Sequence, residues 1–232
     1  MDQIAHLPIL LSACGSDRVR NMATVNVCET FESIQGESTW AGLLCFFIRL
    51  SGCNLRCKYC DTTHAYTSGR DVEIAKLTEE VAASKAAIVE ITGGEPLLQP
   101  GFRELAIQLR DSTGKPILVE TNGSLDISVV PDEVITIMDV KCPGSGQSHA
   151  MNLANIKRLR SKDEVKFVLS DRADYDWAKD FVLTHDLTSI CGAVLFSPVF
   201  GLLKADDLGK WIVKDGLPVR LQMQLHKIVG MK

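Results

Sequence analysis

The sequence predicts an α/β fold, a partial, open barrel of the (β/α)6 type with one crossover abridged, and three observations predict it. Apolar, β-rich runs recur along the chain. Helical patterns fall between them. Polar or glycine-rich residues gather just after the runs, at the strand ends where parallel α/β folds bind ligands.

The first run is 44–50 (LCFFIRL), and residues 74–85 read as the helix that follows it. A second run, 87–92 (AIVEIT), leads to 102–111, where Phe102, Leu105, Ala106 and Leu109 fall on one helix face. A third run is 116–121 (PILVET); the segment after it, 123–134 (GSLDISVVPDEV), is too short and broken for a full helix. Runs at 135–140 (ITIMDV) and 164–169 (EVKFVL) flank a helical reading of 148–160. Residues 173–186 read as a helix before the run 193–199 (AVLFSPV). Leu208, Trp211 and Ile212 set a helix over 204–214, and 219–226 (VRLQMQLH) is the last expected strand. Strands alternating with helices imply parallel pairing with right-handed crossovers. A closed eight-fold barrel takes about 250 residues, and six or seven units are countable here.

The chain has 232 residues, 46% of them hydrophobic, and a formal net charge of −4. That length suits one core, and residues 22–232 read as a single domain beginning near Met22. Residues 1–21 read as a disordered extension without function; HLPILLSACGS lacks the basic stretch of a signal peptide. Mixed charges without a basic stripe argue against nucleic acid. No run approaches the ~18 apolar residues of a membrane helix, so no membrane partner is expected. Eight cysteines in a chain with so ordinary a core suggest a cytoplasmic metal or redox site, not a disulfide framework.

Cys53, Cys57 and Cys60, in GCNLRCKYCD, are spaced C-x3-C-x2-C with no second pair at matching distance. Three readings fit. His64 could complete a zinc site. Cys45 or Cys142 could complete a four-thiolate cluster. Alternatively, three thiolates hold a cluster with one metal left open for a ligand. Arg49, in the apolar run 44–50, needs a partner if buried, either a ligand or a structural glutamate. Asp61 and Thr62 read locally as a helix N-cap pair, and Glu37 as solvated surface. TGGEP (92–96) is by itself an ordinary strand-to-helix turn.

Taken together, the C-x3-C-x2-C loop after the first run and GGEP after the second resemble the radical S-adenosylmethionine (SAM) superfamily. ETFESIQGESTWAGLLCFFIRLSGC before the cysteines and DTTHAY after them resemble, within it, the 7-carboxy-7-deazaguanine synthase family, a group of carbon–nitrogen lyases of queuosine and other deazapurine biosynthesis. The resemblance runs from about residue 26 to QLHK, near the C-terminus. Ser38 and Leu225 depart from a glycine and a threonine usual in that family.

The resemblance implies a radical SAM barrel in which Cys53, Cys57 and Cys60 hold a [4Fe-4S] cluster and SAM occupies the fourth iron. It implies that the adenosyl radical abstracts hydrogen, so no side chain is assigned as catalyst. The substrate would be 6-carboxy-5,6,7,8-tetrahydropterin, contracted to 7-carboxy-7-deazaguanine with loss of ammonia. Mg2+ would sit at Thr62. Substrate contacts would come from Ile34, Gln35, Gly36, Arg49 and Thr92. SAM contacts would come from Tyr59, Gly94, Glu95, Asp139, Val140 and Lys141. Glu120, Asn122, Ser197, Pro198, Val199, Phe200, Gln224 and His226 complete the expected rim. A flavodoxin or ferredoxin would supply the electron, and a homodimer is expected. A glycyl-radical activase and a non-enzymatic iron–sulfur or zinc module are the alternatives; SIQGE and the Thr after CysAsp argue against the first.

Overall fold

The computed structural model describes residues 23–232. The expectation for residues 1–21 lies outside the described residues. The chain opens with β1 (Thr24–Ile34) and β2 (Leu44–Leu50), followed by β3 (Arg70–Glu73) and α1 (Ile74–Ala83). Next come β4 (Ile88–Gly93), α2 (Phe102–Thr113), β5 (Ile117–Thr121), β6 (Ile135–Val140) and β7 (Glu164–Leu169). Then follow α3 (Arg172–Thr184), α4 (Leu187–Ile190), β8 (Ala193–Pro198), α5 (Ala205–Asp215), β9 (Arg220–Leu221) and α6 (Leu225–Val229). The sheet runs β3-β1-β2-β4-β5-β6-β7-β8-β9 and does not close. From β2 to β9 every neighbouring pair is parallel, so the barrel has six full strands and a two-residue seventh.

Strand alternation sorts the side chains. Ile48, Leu50, Val89, Ile91, Val119, Met138, Val140, Val165, Phe167, Val194 and Phe196 point outward. There they meet Leu77, Val81, Phe102, Leu105, Leu109, Tyr175 and Val182 of the helices. The residues between them point inward. At the N-terminal end these are apolar: Cys45, Phe47, Ile88, Leu118 and Ile137, with Phe31, Trp40 and Ile135 packed beside them. The loop after β1 closes this end, and the Thr39 amide donates to Glu164 Oε2 at 3.1 Å. Ser38 in this loop has φ +64, a conformation that costs most residues about 1 kcal/mol. Glycine, which the resemblance leads one to expect there, would adopt it without that cost.

Three features depart from the sequence reading. β1 and β3 add an antiparallel edge to β2 that the reading does not include, with a bulge between Val27 and Glu29. Residues 148–160 form no α-helix but two short 3-10 turns, Ser148–Ala150 and Leu153–Arg158. Their apolar residues Leu153, Ile156 and Leu159 recur every three positions, the 3-10 period. The last expected strand, 219–226, stops after Leu221. The Leu225 amide instead donates to the Gly36 carbonyl at 2.9 Å, and the chain turns into α6 over the barrel mouth. Among the described residues no helix is long and apolar enough to cross a membrane.

The segment after β5 is abridged, with a single 3-10 turn at Ile127–Val129. Asn155, fully buried, takes over the work of the missing helix. Its Nδ2 donates to Gly123 O (3.0 Å) and Leu125 O (2.7 Å), and its Oδ1 accepts from Ile127 N (3.2 Å). We expect Asn155→Ala to cost about 3 kcal/mol, because buried backbone groups lose their partners, and to lower Tm by about 6–12 °C. Asn152→Ala, which removes only an exposed capping bond to Ala154 N, should cost about 1 kcal/mol. Thermal melts of the two variants side by side check this.

Candidate active site

A cavity of roughly 520 Å3 opens at the C-terminal ends of the strands. That volume suits a small ligand. Above the apolar floor the inward residues become polar. β2 contributes Arg49, β4 Glu90 and Thr92, β5 Glu120, β6 Asp139 and β7 Lys166, with Asn122 and Lys141 on the loops just beyond β5 and β6.

The cysteine loop crosses the mouth. Gly52 N donates to Ala65 O (2.8 Å), and Lys58 N donates to Ser145 O (3.0 Å). Glu95 N donates to Gly52 O at 2.7 Å, tying the loop to the TGGEP turn. Only glycine fits at 94: a Cβ there would lie 2.6 Å from Cys53 Cβ and 2.3 Å from Gly52 O. Glu95 itself points away from the cavity and is fully buried. Its carboxyl accepts from Leu97 N (3.0 Å), Thr121 Oγ1 (2.8 Å) and Asn122 N (2.7 Å), so it braces two strand ends at once. Burial pushes its pKa up.

Cys53, Cys57 and Cys60 all face the cavity. Burial pushes the Cys53 and Cys57 thiols up, so their thiolates need a metal to stabilise them. Cys45 and Cys142, proposed as fourth ligands, are fully buried and lie off the cavity wall. Among the described residues no three Cys, His, Asp or Glu side chains gather tightly enough to hold one ion. Zinc needs its ligands converged on one point about 2.0–2.3 Å away, so the donor set does not suit it. Three soft sulfur donors, spread around a cavity mouth without a fourth, suit a larger cluster with one open metal.

Tyr59 lies between the last two cysteines, and its hydroxyl donates to Val168 O at 3.0 Å. Thr62 also faces the cavity. Its hydroxyl donates to Asp61 Oδ1 (3.0 Å); Thr62 stands at the N-cap of the 3-10 turn Thr63–Tyr66, but its side chain makes no capping bond, which corrects that part of the N-cap reading. Asp61 pairs with Lys227. Burial would raise the Asp61 carboxyl, but Lys227 holds it below its usual range.

Arg49 meets the expected structural partner and the cavity together. Its Nε donates to Glu29 Oε1 at 2.9 Å, while its terminal nitrogens have no protein hydrogen bond among the described residues. Burial would raise Glu29, but Lys232 and Arg49 bring it down to about 2. Ile34, Gln35 and Gly36 form the adjoining wall. Gln35 Oε1 accepts from Glu37 N (2.9 Å), which turns Nε2 toward the Glu90 carboxyl. Gly36 allows His226 to approach: a Cβ at 36 would overlap His226 Nδ1 at 1.9 Å. Burial lowers the His226 pKa.

Asp139 Oδ2 accepts from Lys141 Nζ at 2.7 Å, whereas its Oδ1 is buried without a partner. Val199 and Phe200 line the far rim with Gln224. Of the expected residues, Glu95, Val140, Ser197 and Pro198 do not line the cavity. Val140 sits in the outer core, so only its main chain is available to a ligand. Ser197 Oγ is buried without a partner.

Among the lining residues not assigned to the site from the sequence are Phe31, Glu37, Phe47, Glu90 and Lys166. Phe31 and Phe47 stack at 4.8 Å. Glu37 is not solvated surface; it takes Lys166 Nζ at 2.7 Å and Gln224 Nε2 at 2.9 Å. Glu90 and Lys166 interrupt apolar strands just as Arg49 does, and the question asked of Arg49 would have found them.

Burial, and next to it the Glu120 carboxylate, push Glu90 well above the carboxylate range. A carboxyl raised in the folded state binds its proton more tightly there than when unfolded. It therefore costs stability progressively as pH rises from its unfolded value of about 4.3 toward its folded pKa. We expect Glu90→Gln to gain stability over the wild-type chain as pH rises from 5 to 8, at up to about 1.4 kcal/mol per pH unit. Urea unfolding of both proteins at several pH values reads this; a difference independent of pH would contradict it.

Comparison with known proteins agrees with this geometry. The family model of the Radical SAM superfamily matches residues 47–140. A 7-carboxy-7-deazaguanine synthase of Koribacter versatilis is 39% identical over 88% of this chain and 96% of the relative. That of Chlorobaculum tepidum is 42% identical over 89% and 94%. The crystal structure of QueE from Escherichia coli shares the fold, with TM-score 0.73 and 19% identity over 88% of this chain and 95% of that one. Relatives this similar over nearly their whole length, with the cysteine loop set on an open parallel barrel, place the chain in the 7-carboxy-7-deazaguanine synthase family of radical SAM enzymes.

Proposed function

We propose that this chain converts 6-carboxy-5,6,7,8-tetrahydropterin to 7-carboxy-7-deazaguanine with loss of ammonia, in a Mg2+-dependent reaction. The observation that carries this reading is one cavity with three cysteines at its mouth and free Arg49 nitrogens on its wall. Cys53, Cys57 and Cys60 would hold a [4Fe-4S] cluster, which together with SAM would supply the adenosyl radical. Tyr59, the main chain of Gly94 and Val140, Asp139 and Lys141 hold SAM, with Val199 and Phe200 beside them. Glu95 acts through the turn it braces, and Ser197 and Pro198 act from behind the wall.

On the opposite wall Arg49 offers its terminal nitrogens to the substrate carboxylate as a two-pronged donor. Ile34, Gln35 and Gly36 present main-chain groups and one amide to the pterin edge, and Thr92 adds a hydroxyl. Glu120, Asn122, Gln224 and His226 close the rim. Thr62 would give Mg2+ one oxygen, and the substrate carboxylate and water would supply the others. The enzyme works in the cytoplasm, as a homodimer, with a flavodoxin or ferredoxin as electron donor.

The direct test is anaerobic reconstitution with iron and sulfide, then assay with SAM, Mg2+, dithionite and the carboxypterin. No 7-carboxy-7-deazaguanine from a cluster-loaded protein would refute the reading. Alanine at Cys53, Cys57 or Cys60 should abolish the cluster's visible absorbance and all turnover. Cys28→Ala should retain both, since Cys28 lies in β1 and off the cavity wall. Thr62→Ala should shift the Mg2+ requirement to higher concentration while leaving cluster absorbance and Tm unchanged, because the Thr62 side chain makes no capping bond. A variant following the wild-type Mg2+ curve would remove Thr62 from the ion.

A further inference from the structure

Lys166 stands at the middle of β7, in the sequence EVKFVL, with its neighbours Val165 and Phe167 turned to the outer core. Its side chain is 4% exposed, yet it lines the cavity. Its ammonium meets three carboxylates from three other parts of the fold. Glu37 Oε2, from the loop after β1, lies at 2.7 Å. Glu120 Oε1, from β5, is in direct contact. Asp139 Oδ2, from β6, lies at 3.9 Å. Burial alone would drive the proton off, but Glu120, Glu37 and Asp139 outweigh it and keep Lys166 charged.

The arrangement is asymmetric in a useful way. Lys166 takes one oxygen of Glu120 and leaves Oε2 without a protein hydrogen bond among the described residues. Glu37 has one oxygen engaged by Lys166 and the other by Gln224, which fixes its plane. Glu90, with no lysine of its own, donates nothing to this pair and faces Gln35 instead. Two carboxylates held side by side on one ammonium form an acceptor pair. Such a pair suits a flat heterocycle with adjacent N–H donors, such as the 2-amino-pyrimidinone edge of a pterin.

We propose that Lys166 is a positioning residue that holds Glu37 and Glu120 as the acceptor pair for the amino-pyrimidinone edge of the substrate. It touches neither the substrate nor the reacting atoms; it acts through the two carboxylates. Without its ammonium they repel each other and turn away or take up protons, and the edge loses its acceptors. The inference rests on the pterin reading given above.

The test compares Lys166→Met and Lys166→Arg with the wild-type protein in three measurements: Tm, SAM affinity and affinity for the carboxypterin by calorimetry. The 2-desamino analogue of the carboxypterin serves as a probe of the edge. We expect carboxypterin affinity to fall by about tenfold or more in both variants while SAM affinity holds. Arginine keeps the charge but cannot present one point donor between two carboxylates, so Lys166→Arg should melt near the wild type and still bind the pterin weakly. Wild-type preference for the carboxypterin over its desamino analogue should largely disappear in both. A merely structural role predicts that both affinities fall together with Tm and that arginine restores them; that pattern, or wild-type pterin affinity in either folded variant, would overturn the proposal. If Lys166→Met does not fold, Lys166→Arg decides by the same criteria. Wild-type protein that neither binds nor converts the carboxypterin would overturn the functional reading and this inference together. Wild-type turnover with unaltered variants would overturn this inference alone.

Discussion

Much in this structure depends on strand geometry: neighbouring residues point to opposite faces of a sheet. Each parallel strand therefore delivers one residue to the helix-covered core and the next to the barrel interior. Val89 and Ile91 go out while Glu90 and Thr92 go in. Val165 and Phe167 go out while Lys166 and Val168 go in. One apolar face suffices to fold the sheet, because the helices bury it. The other face is then free to carry charge, provided every charge finds a partner. Lys166 and its three carboxylates satisfy that condition, and they tie together β5, β6, β7 and the loop after β1.

The open barrel has two ends with opposite requirements. Its N-terminal end must exclude water, and Trp40 and its neighbours over Cys45, Ile88, Leu118 and Ile137 do so. The C-terminal end must stay open while its loops stay rigid. Rigidity there comes from backbone contacts too close for any side chain. Gly94 lies against the cysteine loop and Gly36 against His226. Glu95 stiffens the same region from behind, through three hydrogen bonds to two strand ends.

Several residues serve structure and site together, and so a choice between the two roles misdescribes them. Arg49 uses its Nε to anchor β1 through Glu29 and keeps its terminal nitrogens for the cavity. Tyr59 both roofs the site and ties the cysteine loop to β7 through Val168 O. Asp61 holds α6 through Lys227 and accepts from Thr62, which leaves Thr62 facing the cavity. A loop that must present three thiols without a helix or strand of its own needs these external ties.

By itself the sequence determined the order of the six long parallel strands, four of the covering helices and the abridged segment after β5. It did so because apolar periodicity is a local signal that survives in any context. It also determined the cysteine loop and the turn beside it, since both are contiguous motifs. Tertiary structure alone decided the rest. Residues 148–160 lost their expected helix because Asn155 spends its amide on the chain at 123–127. The last strand ended early because Leu225 N found Gly36 O. Glu90 and Lys166 each interrupt an apolar strand, which marks them singly, but which groups they and Glu37 pair with is settled only where they meet. Residues 37, 120, 139 and 166 are far apart in the chain, and no local pattern relates them. Only the packing of the parallel strands and the loop after β1 around one interior brings their charges within reach, where burial makes their pairing obligatory.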